Sequence, residues 1–204
     1  MDLEQWITDE GQVVSPEFLR VDGFLNHRIA PAFIEQAAGR IASYFGDHSI
    51  SLVLTAEAGG NVVAYETARR LGARALYAKK GTASTMLHPI TRTIASPTKG
   101  DDTAISICRE YLAAENRVLI VDDFLYQGIT SAALAEMTRE AGATLAGFAF
   151  VIEKTFAEGR RALSRFGVPI VSLIPIERMD PSTGEIVLTK DCPLIAYGGK
   201  EGAG

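Results

Sequence analysis

Cysteine, histidine and tryptophan are scarce in this chain: two, three and one in 204 residues. Cys108 and Cys192 are too few for a disulfide framework and lack metal-ligand spacing, so they read as reduced thiols of a cytosolic protein. His27, His48 and His88 show no pairing with acids or cysteines at metal spacing, and no metal is assigned directly to side chains. No apolar run approaches membrane-spanning length. The N-terminus, MDLEQWITDEG, is acidic and amphipathic, unlike a secretory leader. Positive charge is also short: 20 Lys and Arg stand against 25 Asp and Glu, a net charge of −5 that gives no general reason to expect nucleic-acid binding. Two phosphate-binding fingerprints, GxxxxGK[ST] and GxGxxG, are missing. There is no internal repeat and no linker. A single domain over residues 1–204 is expected, and an apolar share of 47% suits a globular core.

What is present is one informative stretch, residues 118–130, reading VLIVDDFLYQGIT. Residues 118–121 have the length and β-branched content of a strand buried on both faces. Asp122 and Asp123 follow at once, then a short segment with Gly128 and Thr130. In the next residues Leu134, Met137 and Thr138 fall on one side and Glu136, Arg139 and Glu140 on the other, which predicts a helix over 132–141. The unit is strand, acidic loop, helix. In a parallel sheet such a loop lies at the carboxyl ends of the strands, where ligands bind. A helix start offers backbone N–H groups and a positive dipole end, which suit a phosphate. Gly128 lets the backbone approach it, and the Thr130 and Ser131 hydroxyls can donate to it. The carboxylates can accept hydrogen bonds from vicinal hydroxyls. One loop could thus hold a ribose with its 5′-phosphate. Acidic pairs also follow strands in nucleotide hydrolases, which need the missing Lys-Ser/Thr loop, and in receiver domains, where the pair lies near the domain start.

Periodicity predicts helices over 2–7, 31–45, 61–71 and 157–166 besides that over 132–141. Strands are expected over 51–55, 75–78, 103–108, 118–121, 144–153 and 168–174. Gly72 stops the third helix. Residues 81–102 are polar, contain Pro89 and Pro97, and read as a long excursion or hairpin over the site. Pro181-Ser182-Thr183-Gly184 is a turn and 198–204 a frayed tail. Strands alternating with helices specify an α/β fold with a parallel sheet.

VLIVDDFLYQGIT resembles the phosphoribosyl-pyrophosphate (PRPP) signature of type I phosphoribosyltransferases: a hydrophobic strand, two acids, and a loop ending in Gly-x-Thr. Tyr126 and Gln127 depart from the commonest form, which has small or threonine residues there. The DDFL variant is similar to the bacterial xanthine branch of that family. Three further segments carry the same resemblance. VDGFLNHRI (21–29) resembles its base-binding segment, FVIEKTF (150–156) the strand and turn with its purine-contacting lysine, and LYAKKGTAS (76–84) the entry to its mobile loop. In order and spacing the similarity runs from about Val13 to about Lys190.

The resemblance implies a central parallel sheet flanked by helices, a small hood from residues 1–30 and 175–197, and a mobile lid over 81–102. It implies purine salvage: transfer of 5-phosphoribosyl from PRPP to xanthine, giving xanthosine 5′-monophosphate and pyrophosphate. Mg²⁺ would be bound with PRPP, and the enzyme would be a cytoplasmic homodimer with neither nucleic acid nor membrane as partner. Rival readings are a phosphoribosyltransferase for hypoxanthine, guanine or adenine, and a non-catalytic PRPP-sensing regulator. Such regulators carry an N-terminal winged-helix module, for which there is no room before Val13.

On this resemblance Asp122 and Asp123 are the catalytic pair, holding the ribose hydroxyls. Tyr126, Gln127, Gly128, Ile129 and Thr130 cradle the 5′-phosphate. Glu57, Ala58, Gly59 and Gly60 grip pyrophosphate, although paired small residues also serve as a plain strand-to-helix turn. The branch usually has serine near Ala58 and Gly59, which leaves backbone N–H groups as the contacts. Lys79 and Lys80 would neutralise pyrophosphate; without the resemblance they read as a solvated surface pair. Ser84, Thr85, Arg92 and Lys99 of the lid could touch phosphate. Asn26 and Lys154 would read the purine edge, Lys154 at the position-6 carbonyl, with Leu19 and Phe124 as apolar and stacking surface. Alone, Asn26 reads as a turn or cap residue and Lys154 as a surface lysine. No covalent nucleophile is needed, because the reaction asks only for alignment and charge stabilisation.

Overall fold

The computed structural model describes residues 1–82, 84–94 and 102–189. The first half runs α1 (Leu3–Glu10), β1 (Gln12–Val13), β2 (Leu19–Arg20), a π-type turn (Asp22–Asn26), α2 (Pro31–Phe45), β3 (Leu52–Ala56), α3 (Asn61–Leu71) and β4 (Arg74–Lys80). Then follow β5 (Pro89–Ile94), β6 (Thr103–Cys108), β7 (Arg117–Leu125), α4 (Ile129–Glu140), β8 (Thr144–Lys154), α5 (Gly159–Ser164), β9 (Ile170–Met179) and β10 (Ile186–Leu188).

Eight strands form one sheet in the order β10-β9-β8-β7-β3-β4-β6-β5. Its middle, β9 to β4, is parallel. β10 at one edge, and β6 with β5 at the other, are antiparallel. β3, β7 and β8 are mostly apolar before their carboxyl ends because both faces are covered. Alternation divides them cleanly: Val53, Leu119 and Val121 join a core with Phe33 and Ile41 of α2 and Val63 of α3. Leu52, Leu54, Val118 and Ile120 join a second core with Leu134 and Met137 of α4 and Leu163 of α5. Register places Leu52 beside Val118 and Leu54 beside Ile120, so β3 ends at Ala56 beside the acids while β7 runs on to Leu125.

Most expected elements are present, with shifted ends. β7 is nine residues rather than four and continues to Leu125, so both acids lie in a strand and not in a loop. α4 starts at Ile129, three residues before the apolar periodicity does, because Gly128 with φ of 73° turns the chain straight into the helix. α5 covers only Gly159–Ser164 of the expected 157–166, and β9 extends to Met179. Within the lid β5 pairs with β6 as a hairpin; Lys99 lies outside the described residues, as do Cys192 and the tail. The two-residue strands β1 and β2, the π-type turn and β10 were not foreseen, being too short to carry a period.

The N-terminal part is fastened by aromatics. Asp2 caps α1 through a reciprocal pair of hydrogen bonds with Gln5, 2.8 and 2.9 Å. Leu3 and Ile7 then face inward. Phe24 of the π-type turn meets Phe33 edge to face, centroids 4.9 Å apart, with Trp6 5.7 Å from Phe24. This cluster fixes the segment that carries Asn26. Phe33→Ala should therefore cost about 3–5 kcal/mol, the range for deleting a fully buried phenylalanine. Urea unfolding should show it as a lower midpoint with an unchanged slope.

Candidate active site

At β3 the sheet changes direction: the chain proceeds from β3 to β4 on one flank, while β7 occupies the other. Such a switch point opens a crevice beyond the carboxyl ends of the strands. Glu57, Ala58, Gly59 and Gly60 enter it from β3, and Asp122 and Asp123 from β7. The two segments touch. A Cβ on Gly59 would lie 2.2 Å from Asp123 Oδ2, and one on Gly60 would lie 2.3 Å from Thr55 Oγ1 and 2.5 Å from Asp122 Oδ1. A side chain at either place would displace a carboxylate. The Glu57–Ala58 peptide is cis. Glu57 is engaged with the end of β4: its carboxylate accepts the Lys80 N–H at 2.5 Å, and its own N–H donates to the Ala78 carbonyl at 3.1 Å.

The two acids take different neighbours. Asp122 lines a cleft with Thr130 and Ser131. Asp123 faces the N-terminal segment, where Asn26 Nδ2 donates to its Oδ2 at 3.1 Å. Backbone N–H groups of Asp123 and Phe124 donate to Asp122 Oδ1 and Asp123 Oδ1 at 3.0 and 2.9 Å. Loss of water around Asp122, and then the neighbouring Asp123 carboxylate, hold its carboxyl well above the ordinary aspartate range.

The cleft measures about 290 Å³ and is bounded by Lys80, Asp122, Phe124, Tyr126, Gln127, Gly128, Ile129, Thr130 and Ser131. Gly128 precedes α4, and a Cβ there would sit 3.0 Å from the Gly159 carbonyl. The start of α4 thus faces a space bearing one lysine, one carboxylate and the hydroxyl residues Thr103, Tyr126, Thr130 and Ser131. Those groups suit a phosphate joined to a diol. Lys79 and Lys80 point to opposite faces of β4, so Lys79 leaves the cleft. It lines a separate cavity of about 520 Å³ with Tyr77, Thr85, Leu87 and Tyr111. Ser84 is exposed. Arg92 is paired with Glu140 of α4 at 2.5 Å.

Beyond Asp123 lies Lys154, the last residue of β8 and buried. Its Nζ donates to the Glu17 carbonyl. The rings of Tyr126, Phe124 and Phe18 surround it, with centroids 4.9, 5.2 and 5.6 Å away. Loss of water lowers the Lys154 pKa from its ordinary value, against the attraction of Glu17 and Asp123. Leu19 is buried in the core beneath the β1–β2 hairpin, while Asn26 stays exposed at the crevice. Thr55, Glu17 and Phe18 escaped the sequence reading. Thr55 reads only as strand, and Glu17 and Phe18 reach Lys154 from a hairpin tip 137 residues away in sequence.

Asp122 carries a cost to the fold. Its raised pKa contributes stability that is complete below the ordinary value of 3.8 and is lost as pH rises through the higher folded value. An amide carries no such loss with rising pH. Asp122→Asn should raise the melting temperature at neutral pH by about 2–4 °C, corresponding to ~1 kcal/mol in a chain of this size. In thermal melts the gain should shrink towards zero as the buffer approaches pH 3.8.

The chain is 42% identical over 186 residues to the xanthine phosphoribosyltransferase of Heliobacterium modesticaldum, covering 91% of this chain and 98% of the relative. It is 41% identical over 181 residues to that of Brevibacillus brevis, covering 88% and 92%. For the enzyme of that name from Chloroflexus aurantiacus the identity is 43% over 176 residues, covering 86% and 83%. No family model matches the chain. Among solved structures, the adenine phosphoribosyltransferase of Giardia lamblia complexed with 9-deazaadenine superposes with a TM-score of 0.72 at 18% identity, covering 86% of this chain and 98% of that one. The adenine phosphoribosyltransferase of Rhodothermus marinus gives 0.70 at 21%, covering 85% and 97%. The likeness to these structures lies in the fold, and the sequence identities above carry the rest: the chain belongs to the xanthine phosphoribosyltransferase family, built on the type I phosphoribosyltransferase fold.

Proposed function

We propose that this chain is a purine-salvage enzyme that transfers the 5-phosphoribosyl group of PRPP to xanthine, forming xanthosine 5′-monophosphate and pyrophosphate. One observation carries the reading: the Gly59-Gly60 backbone presses on the Asp122–Asp123 pair beside the start of α4. A diol, a 5′-phosphate and a pyrophosphate are then served within one crevice. Asp122 and Asp123 accept from the ribose hydroxyls. The backbone from Tyr126 to Thr130 and the Thr130 hydroxyl take the 5′-phosphate, while Ala58, Gly59, Gly60 and Lys80 face the leaving pyrophosphate. Asn26 and Lys154 hold the base edge, with Phe124 as stacking surface. Positive charge gathers on the ribose carbon as the bond to pyrophosphate breaks, and carboxylates fixed beside the sugar suit that charge.

Mg²⁺ would arrive on PRPP. Among the described residues no group of three or more His, Cys, Asp or Glu could hold a metal ion. A cation bound through one or two carboxylates and substrate phosphates is the usual mode for Mg²⁺. It would supply charge neutralisation on the pyrophosphate oxygens.

A homodimer working in the cytoplasm completes the proposal. β4 exposes Tyr77, and beside it Leu87 and Tyr111 are exposed around the cavity that holds Lys79. A second copy covering this face would bury that apolar surface and bring Lys79 to the partner's crevice. Among the described residues no helix is long and apolar enough to cross a membrane.

Pyrophosphate release from PRPP and Mg²⁺, with xanthine, hypoxanthine, guanine and adenine supplied separately, tests the reaction. Fast release is expected with xanthine alone. Release with another base would keep the chemistry and change the substrate; PRPP binding without release would indicate a sensor. Asp122→Asn combined with Asp123→Asn should lower turnover at least ~10²-fold, the lower range for losing fixed charge at a reacting centre, with the fold intact by circular dichroism. For the dimer, Tyr77→Asp should shift the mass found by light scattering from two chains to one.

A further inference from the structure

Tyr126 stands in the phosphate loop by sequence, yet its side chain belongs to the other end of the crevice. Its ring centroid is the nearest of three to Lys154 Nζ, at 4.9 Å. It also borders two spaces. One is the cleft with Asp122 and Thr130; the other is a cavity of about 360 Å³ with Pro16, Glu17 and Phe156. Glu17 is the hinge of the arrangement. Its carbonyl receives the Lys154 ammonium, and Glu17 and Tyr126 border the same cavity. The tip holding Glu17 is itself ordered: Ser15 and Phe18 are joined by a backbone bond of 3.2 Å and a side-chain bond of 3.1 Å. Phe18 then closes the third side of the cage.

We propose that Tyr126 is a positioning residue for base recognition, holding Lys154 through its ring. This rests on the reading of Lys154 as the base-reading residue. A lysine has four rotatable bonds and a strongly hydrated head, and alone it would sweep through many positions. Three ring faces attract its ammonium and exclude water from it. The Glu17 carbonyl fills one of its three donors and leaves the others for an acceptor arriving in the crevice. The acceptor such a held donor selects is a ring carbonyl of the base. Because the same residue starts the phosphate cradle, seating the ribose phosphate and aiming the lysine become one event.

Steady-state kinetics on Tyr126→Ala, Tyr126→Phe, Lys154→Ala and the double variant Lys154→Ala/Tyr126→Ala test this. Tyr126→Ala should raise the KM for xanthine about tenfold, the scale of removing one ring from a desolvated cation, while the KM for PRPP moves less than about threefold. Tyr126→Phe should recover most of the loss in base KM, because the ring is restored. In the Lys154→Ala background, Tyr126→Ala should add little. A PRPP KM that rises as much as the base KM would return Tyr126 to the phosphate loop alone and overturn the proposal. So would a full additive effect in the double variant, which means that Tyr126 acts without Lys154. Should Lys154→Ala leave the base KM unchanged, the reading of Lys154 itself fails, and the single Lys154 variant shows this independently.

Discussion

The carboxyl ends of β3 and β7 approach so closely that a Cβ on Gly59 or Gly60 would meet a carboxylate of the acid pair at 2.2 or 2.5 Å. Much of the site follows from that contact. It exists because β4 and β7 flank β3 on opposite sides and because Leu54 and Ile120 are level in register, so β3 ends beside the acids of β7. The buried residues before that point are fixed by two cores on opposite faces. A one-residue slip of β7 would exchange Ile120 and Val121 between those cores and move both acids away from the glycines. Hydrophobic packing thus sets the position of polar groups to within a hydrogen bond, although no apolar residue takes part in the chemistry.

Two carboxylates at adjacent positions, one of them poorly hydrated, oppose folding rather than aid it. Three hydrogen bonds offset part of the cost: two from backbone N–H groups and one from Asn26. The arrangement still holds Asp122 well above the usual aspartate range. A ligand that brings hydroxyl donors and a cation would relieve that cost. Conflict between folding and charge is therefore concentrated where binding can resolve it.

The sequence disclosed the parts whose signals are local. Apolar runs marked β3, β7 and β8, apolar periodicity marked α2 and α4, and the acid pair with Gly128 marked the crevice. Boundaries were harder. The strand continued through Asp122 and Asp123 because pairing with β8 extends to Leu125, a tertiary effect that polarity at those positions conceals. Lys79 and Lys80 looked like one functional unit; the pleat of β4 places only Lys80 in the cleft. Glu17 and Phe18 were invisible for a different reason. Their role depends on a two-residue ladder that folds the chain start over the end of β8, and no periodicity announces so short an element.

This division has a chemical consequence. Groups suited to PRPP stand at the ends of long central strands and at the start of a 12-residue helix, where displacement would break the cores. Groups suited to the base come from a hairpin tip, a π-type turn and the last residue of β8, all at the margin. The solved adenine phosphoribosyltransferases share the fold at 18–21% identity. Within this margin the base-side groups meet at the anchor of Lys154. That anchor is not wholly marginal. Glu153, the residue before Lys154, is buried and paired with Arg160, which itself reaches the Ile170 carbonyl at 3.1 Å. Breaking such a buried pair costs about 3–5 kcal/mol, so the strand end is rigid even where the tip above it can vary. A rigid lysine root beneath a replaceable cap lets the pocket change shape without losing the direction of its donor.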